Sequence, residues 1–253
     1  MRYVICLVLA TAALQIAADD FDEVRGMLEE AMAAEVRTEA ERERDRNRRP
    51  VDTLAFYGLR ADMRVVELLP GGGWYTKLLA PVLREDGELH VAIGADRVLE
   101  ALKGQSDFDH VQAAGAGAEI GRDEGSRLFN MSLPNGLGVE DADIVFTFRN
   151  YHNFTASGRQ AMNEAAFAAL KSGGVYAVVD HTRRHMEETN RENGRRFDPV
   201  LAIQEIQAAG FVFEDFTDLH FRADDELRYE VGRRSVTGNT DRWTLKFRNR
   251  CCR

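Results

Sequence analysis

The chain is poor in cysteine, with three among 253 residues. Cys251 and Cys252 stand side by side at the end and Cys6 lies far from both, so no C-x-x-C pair exists to hold zinc and no disulfide framework can staple a core. A basic excess is also lacking. Lys and Arg number 33 against 42 Asp and Glu, a formal net charge of -9, which argues against a nucleic-acid binder and its cationic face. The one basic run, "ERERDRNRRP" from Glu41 to Pro50, alternates signs and reads as a solvated helix face. No G-x-S-x-G elbow and no H-E-x-x-H helix occur, which removes the usual signatures of serine hydrolases and zincins. G-x-G-x-x-G is absent, as is a lysine or hydroxyl residue at P-loop spacing after a glycine run. A dinucleotide or nucleoside triphosphate is therefore a poor fit. Internal repeats and low-complexity linkers are missing too.

What is present is a soluble, globular composition, 44% hydrophobic and 30% charged, long enough for one α/β domain with an added element. The opening "MRYVICLVLATAALQIAADD" has a basic second residue, an apolar run from Tyr3 to about Ala13 and small residues before Asp19. It has the layout of a secretory signal peptide and is short for a membrane span. An uncleaved anchor and a buried helix are the alternatives. Phe21 to Arg48 carries apolar residues at three- and four-residue steps, predicting a helix stopped by Pro50.

From Met63 the chain alternates. "MRVVELL", "GELHVAIGA", "ADIVFTF", "VYAVVDH" and "FVFEDFTDL" read as strands, and "RWTLKFR" as a last one. Helices of about a dozen residues separate them, including "GRQAMNEAAFAALK", with Gly173-Gly174 as its stop, and "DPVLAIQEIQAAG". Residues 104–140 are rich in Gly, Ala and Asp, and "AGAGAEIG" hides at most a weak strand. The alternation predicts a mostly parallel sheet covered on both faces.

"VVELLPGGGWYT", Val65 to Thr76, then runs a buried strand into three glycines and a helix. In a doubly wound sheet ligands sit beyond the carboxyl ends of the strands, and glycines let the backbone come close to them. A purely structural strand-to-helix turn is the bland alternative. An acidic residue ending the first strand, four positions before the glycines, resembles the first motif of class I S-adenosylmethionine-dependent methyltransferases. Glu67 takes the acidic place and Gly71 and Gly73 match the second and third glycines, while Leu69 stands where the first would be. "PGGGWYTKLLAPVL" is similar to a branch of exported bacterial methyltransferases with P-G-G-G-[WY]-Y-T. "RNYHNF", "LKSGGVYAVVDH", "IQAAGF" and "NTDRWTLKF" extend the likeness from about Arg49 to Asn249.

The resemblance implies a Rossmann-like, doubly wound, mostly parallel seven-stranded sheet with an N-terminal helical extension. It divides the chain into a leader (1–18), a helical cap (19–60), a cofactor-binding domain (61–249) and a tail (250–253). It implies S-adenosylmethionine held by Glu67, Pro70, Gly71, Gly72, Gly73 and Tyr75, with Asn150 and Tyr151 on the methionine or adenine side. The second strand has Gly94 where such proteins carry a ribose-binding acid, leaving Asp96, two residues on, for that role. Arg195-Arg196-Phe197-Asp198 replaces the branch's His-Arg-x-Asp.

Methyl transfer needs alignment and often removal of one proton, which suits histidine. His152 is the first candidate for general base, with Asp180 and His181 ending the neighbouring strand. On an extended segment only one of that pair faces the site. Arg183, Arg184 and His185 form a loop that could meet an anion, and Asp180, His181 and His185 form a metal set only on paper, so no metal is expected. The acceptor would be a small molecule, with no nucleic acid and no stable membrane insertion, in the periplasm or outside the cell, the cytoplasm being the alternative. A module that binds the cofactor without transferring its methyl is the rival reading.

Overall fold

The apolar runs become strands, and the first of them lies inside the sheet with a parallel neighbour on either side. The computed structural model describes residues 21–250, so the expected leader, Cys6, Cys251 and Cys252 lie outside it. Strands β1 (Arg64–Leu68), β2 (Glu88–Ala92) and β3 (Gln112–Ala114) are followed by a separate antiparallel pair, β4 (Glu119–Gly121) and β5 (Asn130–Ser132). Then come β6 (Ala142–Phe148), β7 (Leu170–His181), β8 (Val212–Thr217) and β9 (Arg242–Arg248). Seven of them form one sheet in the order β3-β2-β1-β6-β7-β9-β8. β1 pairs in parallel with β2 and β6, and β6 with β7, whereas β9 runs antiparallel to both its neighbours. The chain thus reverses strand order between β1 and β6, leaving a crevice at their carboxyl ends.

Strands covered on both faces are apolar throughout, and successive residues serve opposite layers. Val65, Ile144 and Phe146 face a layer with Leu54, Leu78 and Val98. These come from α4 (Pro50–Tyr57), α5 (Thr76–Val82) and α6 (Asp96–Leu102), with α1 (residues 21–33) packed outside. Val66, Val145 and Tyr176 face the other layer, with Met162, Ala166 and Ile206 from α7 (Ala156–Ala169) and α8 (Pro199–Ala208).

Two helix boundaries depart from expectation. The helix predicted over Phe21 to Arg48 is broken into α1, α2 (Glu39–Arg42) and α3 (Asp45–Arg48). A capping box starts α2: the Thr38 hydroxyl accepts from the Glu41 N–H at 3.3 Å and the Glu41 carboxylate accepts from the Thr38 N–H at 2.8 Å. Pro50 opens α4 instead of closing a helix, as the first helical position has no use for its missing N–H. At the far side, α7 ends at Ala169 and the chain enters β7 directly. Gly173 and Gly174 therefore lie within β7, where a Cβ on Gly174 would fall 3.0 Å from the Ala142 carbonyl oxygen.

Candidate active site

The turn after β1 is tight. Leu69 takes a left-handed φ of 56° and its N–H donates to the Ala92 carbonyl at 2.8 Å. Gly71 and Gly73 have φ of 58° and 78°. A Cβ on Gly73 would come 2.4 Å from Val98 Cγ2, so this glycine seats α6, whereas Cβ atoms on Gly71 or Gly72 would meet nothing within 4 Å. Their backbone faces a cavity of about 200 Å³ that Glu67, Pro70, Tyr75 and Asn150 also line.

Glu67 is buried, accepts from the Thr76 hydroxyl at 2.6 Å, and is pushed up to about 7 by that burial. Tyr75 stacks on Phe148 at 3.6 Å, and Trp74 stands edge-on to Tyr75. The Trp74 indole N–H donates to the Glu41 carbonyl at 2.9 Å, and Lys77 pairs with the Glu41 carboxylate. These contacts tie α2 over the glycine turn, and Glu41, Arg44 and Arg48 close that side of the cavity.

Asp96 and Tyr151 fall elsewhere. Asp96 is exposed on the first turn of α6, outside the cavity lining. Tyr151 is fully buried, its hydroxyl donating to Glu205 and accepting from the Asn163 amide, both at 2.9 Å. A ring locked in the core by two polar partners cannot line a ligand site.

A second cavity of about 370 Å³ adjoins the first, sharing Arg44, Arg48 and Arg149 with it. His152 lies on its wall in a 3-10 turn, Tyr151–Asn153, that follows β6. Its Nδ1 meets the Asp180 carboxylate at 2.6 Å, and its backbone N–H donates to the same carboxylate at 2.8 Å. The His181 N–H adds a third donor at 2.6 Å. Fully buried Asp180 is thus acceptor at both oxygens, so Nδ1 carries a ring proton and, in the neutral imidazole, Nε2 holds the lone pair. Nε2 makes no hydrogen bond within the described residues.

His181 lines the same cavity with its Nδ1 at 2.9 Å from the Thr240 hydroxyl. Burial, then Arg242 and His152, push it well below the usual histidine range. The strand alternation holds: His181 faces the cavity, and Asp180 reaches it only through His152.

The loop after β7 stays apart. His185 pairs with Asp198 at 2.9 Å and Arg184 donates to the Glu226 carbonyl. Neither they nor Arg183 line the two cavities. Asp180, His181 and His185 are not brought together, and no group of three metal-ligating side chains occurs among the described residues.

Solved structures share this sheet over most of the chain. A SAM-dependent methyltransferase from Aquifex aeolicus superposes with a TM-score of 0.54 at 14% identity, over 81% of this chain and 91% of its own. The fold is that of the class I methyltransferases. The [4+2]-cyclase SpnF gives 0.55 at 14% identity, over 81% of each chain. Human N-acetylserotonin methyltransferase, solved with SAM, gives 0.51 at 15% identity, over 90% of this chain and 57% of its own. No protein-family model matches the chain, and no curated protein does. A cyclase among the neighbours means that the methyltransferase fold does not by itself fix the reaction.

On this methyltransferase fold the largest group missed from sequence is cationic. Arg48, placed in a run expected to be solvated, is 4% exposed and lies 4.2 Å above the Trp74 ring. The alternating charges of that run sort by face: Glu43 and Arg46 stay in water while Arg48 turns inward. No local pattern distinguishes Arg48 from its neighbours.

Proposed function

We propose that this chain binds S-adenosylmethionine in the first cavity and transfers its methyl group to a small molecule in the second. The observation that carries this reading is the His152–Asp180 pair, which presents a free imidazole Nε2 to a cavity adjoining the glycine turn. Glu67, Gly71, Gly72 and Tyr75 would hold the cofactor, since the open backbone at the two glycines accepts close approach and the carboxylate and ring flank it. When bound, the cofactor supplies an electrophilic methyl group: a lone pair of the acceptor forms the new bond as the carbon–sulfur bond breaks, leaving a thioether.

His152 Nε2 takes the proton that the acceptor loses, and Asp180 holds the ring in the tautomer that can do so. His181, kept neutral, orients the acceptor. Residues 19–60 form the cap and 61–249 the cofactor-binding domain. The P-G-G-G-W-Y-T motif supports membership in the exported branch. Leu69 and the missing ribose acid favour the rival, a module that binds without transfer.

Calorimetric titration with S-adenosylmethionine and its demethylated product, against NAD, tests the cofactor. Gly72 has an ordinary φ and open space at its Cβ, so Gly72→Val should fold normally and obstruct only the ligand. Affinity should fall at least about tenfold, roughly 1.4 kcal/mol. Unchanged affinity in a folded variant would remove the glycine turn from the site.

Export is proposed on the leader's layout. Residues 1–25 fused to a reporter active only outside the cytoplasm should direct it there, with the mature chain starting between Ala13 and Asp20. Recovery of full-length protein from the cytoplasm with Met1 intact would refute it.

A further inference from the structure

Resting on that reading of the two cavities, we propose that the methyl acceptor is a small organic molecule carrying a carboxylate or phosphate group, which Arg149 and Arg242 hold as an anchor, while a separate hydroxyl or amine of the same molecule loses its proton to His152 and takes the methyl. Among the described residues the second cavity is lined by Arg44, Arg48, Arg149, Arg195 and Arg242 and by no Asp or Glu. That lining belongs to a chain with 42 acidic residues against 33 Lys and Arg, so it runs against the bulk charge.

The pairing of the buried arginines is selective. Arg37 binds Asp45 at 2.5 Å, Arg159 binds Glu205 at 2.7 Å and Arg196 binds Asp225 at 2.8 Å. Arg48 and Arg242, 4% and 7% exposed, have no carboxylate partner among the described residues. Nη2 of Arg48 and Nε of Arg242 make no hydrogen bond at all. Glu67 acts on Arg48 from a distance and Arg242 donates through Nη1 to the Asn47 carbonyl at 2.8 Å, but neither guanidinium is paired with a carboxylate among the described residues. Burying a guanidinium without a paired counter-charge is unfavourable, so two of them against one cavity mark a place for an anion.

The arginines also act on one another: burial and then Arg149 push Arg48 down to about 8 and Arg242 to about 10. Asp180, the carboxylate that acts on both Arg149 and Arg242, is already filled by the three donors from His152 and His181.

The cofactor's own carboxylate does not account for this. Arg48 borders both cavities and can take that group, but Arg242 lines only the second. A third cavity, which shares His152, Asn153 and Arg195 with the second, adds Arg122 and Arg127. Glu230, its one lining carboxylate among the described residues, is paired with Arg195, so the net charge along this approach to His152 is positive. Guanidinium forks match carboxylate and phosphate oxygens. An anion anchored there would also offset the repulsion between the arginines and a sulfonium in the adjoining cavity.

Calorimetric titration with inorganic phosphate, with and without saturating S-adenosylhomocysteine, tests the proposal. Phosphate should bind in both conditions. Binding should weaken at least about tenfold in Arg242→Met and largely recover in Arg242→Lys. In the wild type, 4-hydroxybenzoate should bind at least about tenfold more tightly than shape-matched 4-hydroxybenzamide.

Phosphate binding that vanishes when S-adenosylhomocysteine saturates would overturn the proposal, because the arginines would then serve the cofactor alone. Equal affinity for the benzoate and the amide, or no binding of either anion, would overturn it as well. If phosphate binds but S-adenosylhomocysteine does not, the anion site stands and the methyltransferase reading falls.

Discussion

Replacing His152 with alanine should lower turnover by about 10²- to 10⁴-fold and leave S-adenosylmethionine affinity within about twofold. The separation is expected because His152 lines the second cavity and not the first. Asp180→Asn should give a comparable loss by another route. An amide in place of a carboxylate can donate to Nδ1, and the proton would then sit on Nε2, where the base must be empty. If His152→Ala abolishes binding along with turnover, the histidine belongs to the cofactor pocket or the fold, and His181 becomes the base. A wild type that binds the cofactor yet methylates no oxyanion or neutral acceptor would favour the non-catalytic module.

Glu67→Gln should stabilise the ligand-free protein at neutral and higher pH. Burial raises this carboxyl from its ordinary 4.5 to about 7, against the opposing pull of the Thr76 hydroxyl and Arg48. Between those two values the folded chain keeps a proton that the unfolded chain has released, so stability falls as pH rises from about 4.5 to 7 and stays lowered above it. The displacement corresponds to about 3 kcal/mol. The glutamine variant has no such slope. Denaturant unfolding at pH 4 and pH 8 should show the variant gaining on the wild type only at the higher pH, while its affinity for S-adenosylmethionine drops. Equal pH slopes in the two proteins would show that Glu67 ionises without cost. A carboxylate kept for ligand binding at the expense of the empty fold would be the familiar trade between function and stability.

The sheet was legible because its signal is local. Each buried strand is a short apolar run, and alternation with helices dictates parallel pairing, so "ADIVFTF" and "RWTLKFR" appear as β6 and β9 with the same residues. The glycine turn was legible for the same reason. Pro50 was misread because a proline that ends one helix and one that begins the next look alike until Arg49, at a φ of 42°, separates them. β4 falls in "AGAGAEIG", where a weak strand was expected, whereas β3 and β5 escaped notice because three-residue strands carry too little pattern. The site was half visible. His152, Asp180 and His181 were all singled out, yet nothing in sequence tells that Asp180 reaches across from one strand to a turn 28 residues earlier. Tyr151 illustrates the converse: its neighbours Asn150 and His152 line cavities, and the tight turn rotates the ring between them into the core. Arg48, Arg149 and Arg242 converge from a helix, a loop and a strand start far apart in the chain, which only the folded sheet brings together.

Part of the wall of the second cavity comes from segments at the margin of the parallel sheet. Arg44 and Asn47 belong to the cap, Arg195 to the loop between β7 and α8, and Thr237 and Thr240 to the long connection between β8 and β9. The glycine turn, by contrast, is wedged against α6 and the end of β2. Substitutions in these rim segments should therefore reshape the cavity at little cost to folding, while a side chain at Gly73 would meet Val98. Such a division would let selection act on the two halves at different tempos: a turn held fixed by its packing, beside a rim free to drift toward new chemistry.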